Sequence, residues 1–336
     1  MRLRSAVFWL LLGALVIVAL LHVGEIEKVL HLLRSLRWQW LAATGIAQCL
    51  TYITTAWALQ GILATLDVHL SWRRVWRSVV AFVLGWQTVP TAGVGGLVLW
   101  SMGLSQLGVQ RESAVASGIL YDALDYIAFF ALLATGVLIL LLEHSLPTGL
   151  LVPLVLLSVV ILAVVAVAVG LLSHEVRVLA VVNRLVHAAN SMLGWLGRAP
   201  LDAAPICATT RRFYENWRTL GIRWRSLVRP ALWVLAARLL DVLTLQLLFA
   251  AVGYPMPWGA LTLGFVYANF ASIASILPTG LGILDASLVL LYSWFGAPLA
   301  IAVVVTLLFR FLAYWLPIPY GLYIYHRIAH APTEGA

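Results

Sequence analysis

Long apolar stretches with very few charges constrain this chain more than any other feature of its sequence. The segment from Ser113 to Leu142 has thirty residues and only two charged side chains, Asp122 and Asp125. About 20 apolar residues are enough to cross a bilayer as a helix. Hydrophobic residues make up 63% of the chain and charged residues 10%, which excludes an ordinary soluble domain. We therefore expect an all-α polytopic integral membrane protein.

Basic loops predict how the chain is threaded through the membrane. Arginines cluster in a few loops, and cytoplasmic loops carry such excess positive charge. This places both termini in the cytoplasm. The predicted order is an anchor helix with an interfacial amphipathic segment (1–37), a first repeat (38–142), a connecting transmembrane helix (150–172), a cytoplasmic basic amphipathic segment (173–229), a second repeat (230–325) and a cytoplasmic tail (326–336).

Two of the apolar stretches are interrupted by proline and glycine. Proline lacks the N–H that a helix needs, and glycine has the greatest backbone freedom. The twelve residues from Ser78 to Val89 span about 18 Å as a helix, too short for a core of about 30 Å. We expect broken or re-entrant hairpins at 78–108 and 259–296. Their predicted tips are Pro90, Gly93 and Gly95 in the first hairpin and Pro278, Gly280 and Gly282 in the second.

The two interrupted stretches also share a spacing. Eighteen residues separate each proline from a glycine, and thirty-six separate it from a tyrosine, in the sets Pro90, Gly108, Tyr126 and Pro278, Gly296, Tyr314. Upstream, Gly61 is paired with Gly253. An odd number of predicted crossings separates the halves, so they are expected to form inverted repeats, an architecture typical of secondary transporters. The two tips should then meet near the bilayer centre and line a polar cavity.

Six ionisable side chains fall inside the predicted spans, where charge is costly and usually paired or functional. They are Arg238, Arg310, Asp122, Asp125, Asp241 and Asp285. One hypothesis gives the arginines an anionic headgroup to hold, because guanidinium groups bind phosphate through paired hydrogen bonds. The aspartates would balance them or bind a cationic group, with Tyr126 and Tyr314 nearby. The structural alternative pairs Arg238 with Asp241, and Arg310 with Asp122 or Asp285.

Other function classes find less support in the sequence. Asp122 and Asp125 could suggest a magnesium–diphosphate site, but such sites need further converging carboxylates. Cys49 and Cys207 are the only cysteines, and no histidine has metal-ligand spacing, so no metal or cofactor is expected. The basic segment is too rich in Leu, Val and Trp for a nucleic-acid surface. The chain is accordingly not expected to be an enzyme.

The second hairpin resembles a known family, the lysylphosphatidylglycerol synthase transmembrane region. This is the flippase-like domain of bacterial multiple peptide resistance factors and their stand-alone relatives. The family pattern is a proline followed by Gly-Gly-x-Gly-x-x-Glu. Pro278, Gly280 and Gly282 keep the pattern, Thr279 stands at its first glycine and Asp285 at its glutamate.

The resemblance extends to the first half and to the last span. Pro90 and Asp125 match the first-half pattern, whereas Thr91-Ala92 replaces a Gly-Arg pair and Asp122 stands where an arginine is expected. In the last span, Arg310 and the Pro317–Gly321 spacing are similar to the family. The likeness covers residues 1 to about 325.

This resemblance implies a lipid translocase of the bacterial inner membrane. The chain is expected to move a phospholipid or other lipid-phosphate amphiphile between leaflets without ATP hydrolysis. The family's soluble aminoacyl-transferase domain is missing, so lipid aminoacylation is not expected. The alternatives are an integral-membrane enzyme acting on a lipid phosphate, and a non-catalytic membrane partner of a lipid or glycan synthase. Expected partners are membrane lipids, a lipid headgroup substrate, and either a second copy of the chain or a separate synthase, but no nucleic acid.

Overall fold

The fold was analysed in a computed structural model, which describes residues 36–76, 78–79, 94–143, 224–273 and 282–316, with isolated helical residues between 156 and 207. Regular structure in these residues is helical, and none of them belongs to a strand, so the all-α prediction is confirmed. The predicted anchor helix, most of the connecting and basic segments, the tail, and the tip residues Pro90, Gly93, Pro278 and Gly280 lie outside the described residues.

Seven α-helices organise the described residues. They are α1 (Trp38–Thr65), α2 (Val94–Ser105), α3 (Arg111–Leu142), α4 (Val228–Ala251), α5 (Trp258–Ile273), α6 (Ile283–Trp294) and α7 (Leu299–Arg310). A 3₁₀ turn, Trp224–Leu227, leads into α4, and α7 continues into a π-helical turn, Phe311–Trp315. Two of the described helices are long and apolar enough to cross a membrane, over Glu112–Leu142 and Arg225–Ala251.

The first long helix is longer than the sequence indicated. A span ending near Leu59 was expected, with Gly61 near its end, but α1 continues to Thr65. Gly61 is instead a packing position, because a Cβ there would lie 2.9 Å from Cγ of Pro230 in α4. Its pairing with Gly253 was therefore wrong. A helix tolerates an internal glycine when close helix contact compensates for its weak helix propensity.

The second hairpin is built from two short helices. Sixteen residues in α5 and twelve in α6 span about 24 Å and 18 Å, so neither crosses a core of about 30 Å alone. The Tyr254 hydroxyl donates to the Gly296 carbonyl at 2.7 Å and ties the two ends of this hairpin together. Helix α6 begins at Ile283, directly after Gly282 with its left-handed φ of 86°, which agrees with an interruption at this predicted tip residue. Residues 274–281 lie outside the described residues.

The first hairpin differs in one detail from its prediction. Gly95 was assigned to the break, but α2 begins at Val94, so Gly95 and Gly96 lie in its first turn. Glycine costs a helix about 1 kcal/mol relative to alanine, which packing of α2 on α3 can offset. The predicted meeting of the two tips lies outside the described residues.

Helices α1 and α4 pack closely along their lengths and run antiparallel. The Arg37 N–H at the start of α1 donates to the Ala251 carbonyl at the end of α4, at 3.0 Å. At the opposite ends, Gly61 faces Pro230. Helix α4 also contacts α3, α5 and α7, which places it at the centre of the bundle.

The repeat spacing reappears in how the helices end. In a Schellman cap, a left-handed residue closes the last helical turn with two backbone bonds. Both α2 and α6 end this way, with Gly108 bonded to Ser105 and Val109 to Leu104, and with Gly296 bonded to Ser293 and Ala297 to Tyr292. Both α1 and α4 do so as well, with Asp67 (φ 58°) and Gly253 (φ 77°) left-handed. Local structure is thus repeated, while the inversion of whole halves stays a prediction.

Two apolar clusters hold the helices together. One combines α1, α2 and the first half of α3 with residues near Val75. The other combines the second half of α3 with α4, α5, α6 and α7. Helices α3 and α4 contribute to both clusters and so join them. Arg238 lies where the clusters meet, because it contacts Tyr121 of one and Phe129 of the other.

Replacing Gly264 by alanine should destabilise the second hairpin. A Cβ at Gly264 would lie 2.4 Å from Cε1 of Tyr292, whose ring is fully buried and cannot move aside. Overpacking of this kind costs about 1–3 kcal/mol. Thermal unfolding of the purified protein in detergent should therefore begin at a lower temperature. Gly45→Ala is the matched control, because a Cβ at Gly45 meets nothing within 4 Å, and it should leave the midpoint unchanged or raise it.

Candidate functional site

Arg238, near the middle of α4, is the centre of a charged cluster between α3 and α4. Its Nε donates to Oδ1 of Asp125 at 2.6 Å, and its Nη1 donates to Oδ2 of Asp241 at 2.7 Å. Its Nη2 lies 3.4 Å from the Tyr121 hydroxyl. The guanidinium also lies over the Phe129 ring, 5.3 Å from the centroid. Four side chains thus hold Arg238 in place.

Helical spacing explains why these groups converge. Tyr121, Asp125 and Phe129 follow one another at four-residue intervals, so they share one face of α3. Arg238 and Asp241 are three residues apart on α4 and form the intrahelical pair that the sequence indicated. The only additional requirement is that α3 and α4 pack together, which the Asp125 contact shows directly.

Arg310, at the end of α7, forms a second ion pair. Its Nε donates to Oδ1 of Asp285, and its Nη2 lies 3.4 Å from Oδ2 of the same carboxylate. The guanidinium lies 5.0 Å from the centroid of the Tyr314 ring. Only 9% of the Arg310 side chain is exposed, against 30% for Asp285. The aspartate is therefore the more accessible member of this pair.

Asp285 also stabilises the start of α6. The N–H of Gly282 donates to Oδ2 of Asp285 at 3.0 Å, so the carboxylate caps the helix that follows the break. Gly282 has φ 86°, a left-handed conformation that glycine adopts without strain. This explains why the break needs glycine at this position. One carboxylate thus links the broken stretch to Arg310.

The predicted site residues separate into two clusters and two outliers. Arg238 lies with Asp125 and Asp241, and Arg310 lies with Asp285 and Tyr314. Asp122 is half-buried on α3 and makes no hydrogen bond or ion pair with a described residue, so its expected pairing with Arg310 is not formed. The Tyr126 side chain is 37% exposed on the outside of α3.

A buried polar stripe on α1 was missed by the sequence reasoning. Its members are Thr44, Gln48, Thr51 and Thr55, each at most 6% exposed. Thr51 lies beside the Asp241 carboxylate, and Thr55 lies beside the Tyr121 hydroxyl. The spacing of four, three and four residues is helical, and it could have indicated a polar face in an apolar span. Threonine is tolerated there because its hydroxyl bonds the carbonyl four residues back, as Thr55 does with Thr51.

Four buried side-chain oxygen atoms of the helices have no hydrogen-bond partner among the described residues. They are Oε1 of Gln48, Oε1 of Gln246, Oγ of Ser293 and Oγ1 of Thr306. Buried polar atoms are usually satisfied by protein or by ordered water. All four can accept a hydrogen bond. Among the described residues, no group of three or more His, Cys, Asp and Glu side chains could hold a metal ion.

A family model described as the lysylphosphatidylglycerol synthase TM region matches residues 3–321. The chain belongs to this family. The match extends over nearly the whole chain, and it confirms the recognition drawn from Pro278, Gly280 and Gly282. It also identifies the chain as a membrane protein of a family connected with membrane lipids. The bacterial inner membrane and the cytoplasmic position of both termini remain predictions.

Curated relatives of this chain are membrane proteins with short matching regions. A UPF0104 membrane protein of Methanothermobacter thermautotrophicus is 30% identical over 105 residues, which cover 31% of this chain and 29% of the relative. A UPF0104 membrane protein of Methanocaldococcus jannaschii is 29% identical over 118 residues, covering 34% of this chain and 35% of the relative. The matched regions thus span about a third of each relative.

Proposed function

We propose that this member of the lysylphosphatidylglycerol synthase TM region family is a lipid translocase. It would move a phospholipid or another lipid-phosphate amphiphile between the leaflets of the inner membrane without hydrolysing ATP. The observation that carries the proposal is the Arg310–Asp285 pair, a buried arginine joined to a carboxylate that caps a broken helix. Charges inside a bilayer mark substrate or ion pathways when they face the bundle interior.

The two arginines have different roles in this proposal. Arg238 is held by Asp125, Asp241 and Tyr121, so it has little capacity for a ligand and serves as a structural link between α3 and α4. Arg310 has Asp285 as its carboxylate partner, and a lipid phosphate offers the same paired acceptor oxygens. A phosphate can therefore replace Asp285 at Arg310.

The charge balance of the helices favours a headgroup that carries a positive charge as well as a phosphate. Among the described residues inside the spans there are two arginines and four aspartates. Asp122 and one of the two carboxylates at Arg238 therefore have no arginine of their own among these residues. A headgroup with a phosphate and an amine would place its phosphate at Arg310 and its amine near Asp122. This replaces the expectation that Arg238 and Arg310 together bind an anion.

The enzymatic alternative has weaker support. Asp122 and Asp125 were its candidate magnesium ligands, but Asp125 is engaged by Arg238 at 2.6 Å. A metal would have to displace that ion pair. We therefore propose that the chain is not itself an enzyme. The membrane lipids, the headgroup substrate and a second copy or a separate synthase remain its proposed partners.

Leaflet exchange in proteoliposomes tests the proposal. The purified chain is reconstituted with fluorescent lipids that share one acyl composition and carry a zwitterionic, an anionic or a cationic headgroup, and a membrane-impermeant quencher then reports the outer-leaflet fraction. We expect exchange without nucleotide, fastest for a headgroup with both phosphate and amine. Exchange no faster than in protein-free liposomes for every headgroup would contradict translocation and favour the role of a synthase partner. Metal-dependent turnover of the lipid in detergent would favour the enzyme.

A further inference from the structure

The first helix of each half contacts the last helix of the other half. In the described residues, the first half contains α1 and α3, and the second half contains α4 and α7. Helix α4 packs on α3, and α1 contacts the π-helical turn that follows α7. The halves also meet where α1 packs on α4 and where α3 packs on α5. We call the α3–α4 contact and the contact of α1 with the turn after α7 the two junctions, because in each the first helix of one half meets the last helix of the other.

Each junction contains a polar contact. At the α3–α4 junction, Arg238 donates to Asp125 at 2.6 Å. At the α1–α7 junction, the Tyr52 hydroxyl donates to the Ala313 carbonyl at 2.8 Å. Both contacts lie within the bundle rather than at its ends.

The two contacts occupy corresponding positions of the repeat. The helix caps at Asp67 and Gly253 are 186 residues apart, and the same shift takes Tyr52 to Arg238. The caps at Gly108 and Gly296 are 188 residues apart, and that shift takes Asp125 to Ala313. Each junction therefore has a polar contact at a corresponding position of the repeat. The contact is an ion pair at one junction and a neutral hydrogen bond at the other.

The difference in chemistry makes the junctions unequal in strength. Arg238 and Asp125 form a charge-assisted bond within a cluster that also includes Asp241, whereas Tyr52 makes a neutral bond to a backbone carbonyl. The acceptor lies in the π turn, which Leu316 closes by donating to the Phe311 carbonyl at 2.9 Å. Such π turns interrupt the regular helix ladder and are frequent at functional sites.

We propose that Tyr52 is the positioning residue of a movable junction between α1 and α7, and that Arg238 with Asp125 forms the permanent junction. Release of the Tyr52–Ala313 bond lets α7 move from α1 and carries Arg310 with it, while α3 and α4 stay together. The inference concerns motion alone and its test uses no lipid transport, so it can fail independently of the proposed translocase activity.

Distances between spin labels test this asymmetry. Cys49 and Cys207 are first replaced by serine. One cysteine pair, Ile46→Cys with Leu307→Cys, then reports on the α1–α7 junction. A second pair, Ile127→Cys with Leu239→Cys, reports on the α3–α4 junction. All four labelled side chains are between 47% and 64% exposed, so the labels do not enter the core.

Tyr52→Phe removes only the hydroxyl and should increase the distance between the two labels of the α1–α7 pair. In liposomes, we expect the long-distance fraction of the α1–α7 pair to rise about three- to tenfold, the shift that follows from losing one neutral hydrogen bond. The α3–α4 pair should keep its distribution. Tyr292→Phe is the matched control, because the Tyr292 hydroxyl donates to the Leu261 carbonyl at 3.2 Å within the second hairpin. An unchanged α1–α7 pair, a wider α3–α4 pair, or an equal effect of Tyr292→Phe would overturn the proposal.

Hydrogen exchange in the unmodified protein provides a test that needs no variant. If the α1–α7 junction opens, backbone amides at 311–316 should exchange faster than those at 123–128, the corresponding part of α3. Equal protection of both segments, or faster exchange in α3, would contradict the proposed asymmetry even if the Tyr52→Phe protein did not fold.

Discussion

Replacing Arg310 by glutamine should strongly slow leaflet exchange while the protein still folds. Glutamine keeps a donor for the Asp285 carboxylate but loses the positive charge that a lipid phosphate needs. Losing the charge-assisted pair with a phosphate corresponds to about 1.5–3 kcal/mol, or roughly ten- to a hundredfold in the exchange rate. The rate is measured with the proteoliposome assay, and folding is checked by size-exclusion chromatography in detergent.

Two further variants make the Arg310 result specific. Arg225→Gln removes an exposed arginine before α4 and should leave the exchange rate unchanged. Arg310→Lys keeps the charge without the planar fork and should give an intermediate rate. A folded Arg310→Gln protein with the full exchange rate would remove Arg310 from the headgroup site, although translocation itself could still be real.

Replacing Arg238 by methionine should destabilise the whole bundle. The change leaves Asp125 and Asp241 without their shared cation, although their side chains are only 20% and 7% exposed. Breaking a buried ion pair in this way costs about 3–5 kcal/mol. We expect a clearly lower thermal midpoint in detergent and a larger fraction of aggregated protein after purification.

The complete apolar replacement is the control for Arg238. Arg238→Met combined with Asp125→Leu and Asp241→Leu leaves no unpaired charge, and such exchanges are often neutral or stabilising. The triple variant should therefore recover most of the lost thermal stability. If it is as unstable as Arg238→Met, the loss of stability comes from lost packing around Phe129 rather than from the unpaired carboxylates. An unchanged midpoint for Arg238→Met would show that the cluster does not hold α3 and α4 together.

Two features of the second hairpin could be predicted from the sequence alone. The missing N–H of Pro278 and the backbone freedom of Gly280 and Gly282 predicted an interruption, and Gly282 indeed has a left-handed φ of 86° directly before α6 begins at Ile283. Spacing from Pro278 predicted Gly296 as a repeated position, and it caps α6 just as Gly108 caps α2. These features depend on local backbone chemistry, which the sequence contains directly.

The partners of the charged side chains were predicted less well. Arg310 could have paired with Asp122 or Asp285, and equivalent repeat positions favoured a meeting with Asp122. The structure pairs it with Asp285, because the carboxylate that caps α6 also faces α7. Similarly, no pattern indicated that Asp125 would join Arg238 and Asp241. Partners on different helices depend on how the helices rotate and pack.

The sequence by itself determined that this chain is a helical membrane protein of the lysylphosphatidylglycerol synthase TM region family, with interrupted helices and rare charges inside its spans. Hydrophobic run length, glycine, proline and spacing are enough for that, because each acts within one segment. Only the tertiary structure decided that Arg238 is locked in a cluster, that Arg310 pairs with Asp285, and that Tyr52 bonds the π turn. Each of these contacts joins residues of different helices, between 25 and 261 positions apart, so its geometry exists only after the helices have packed.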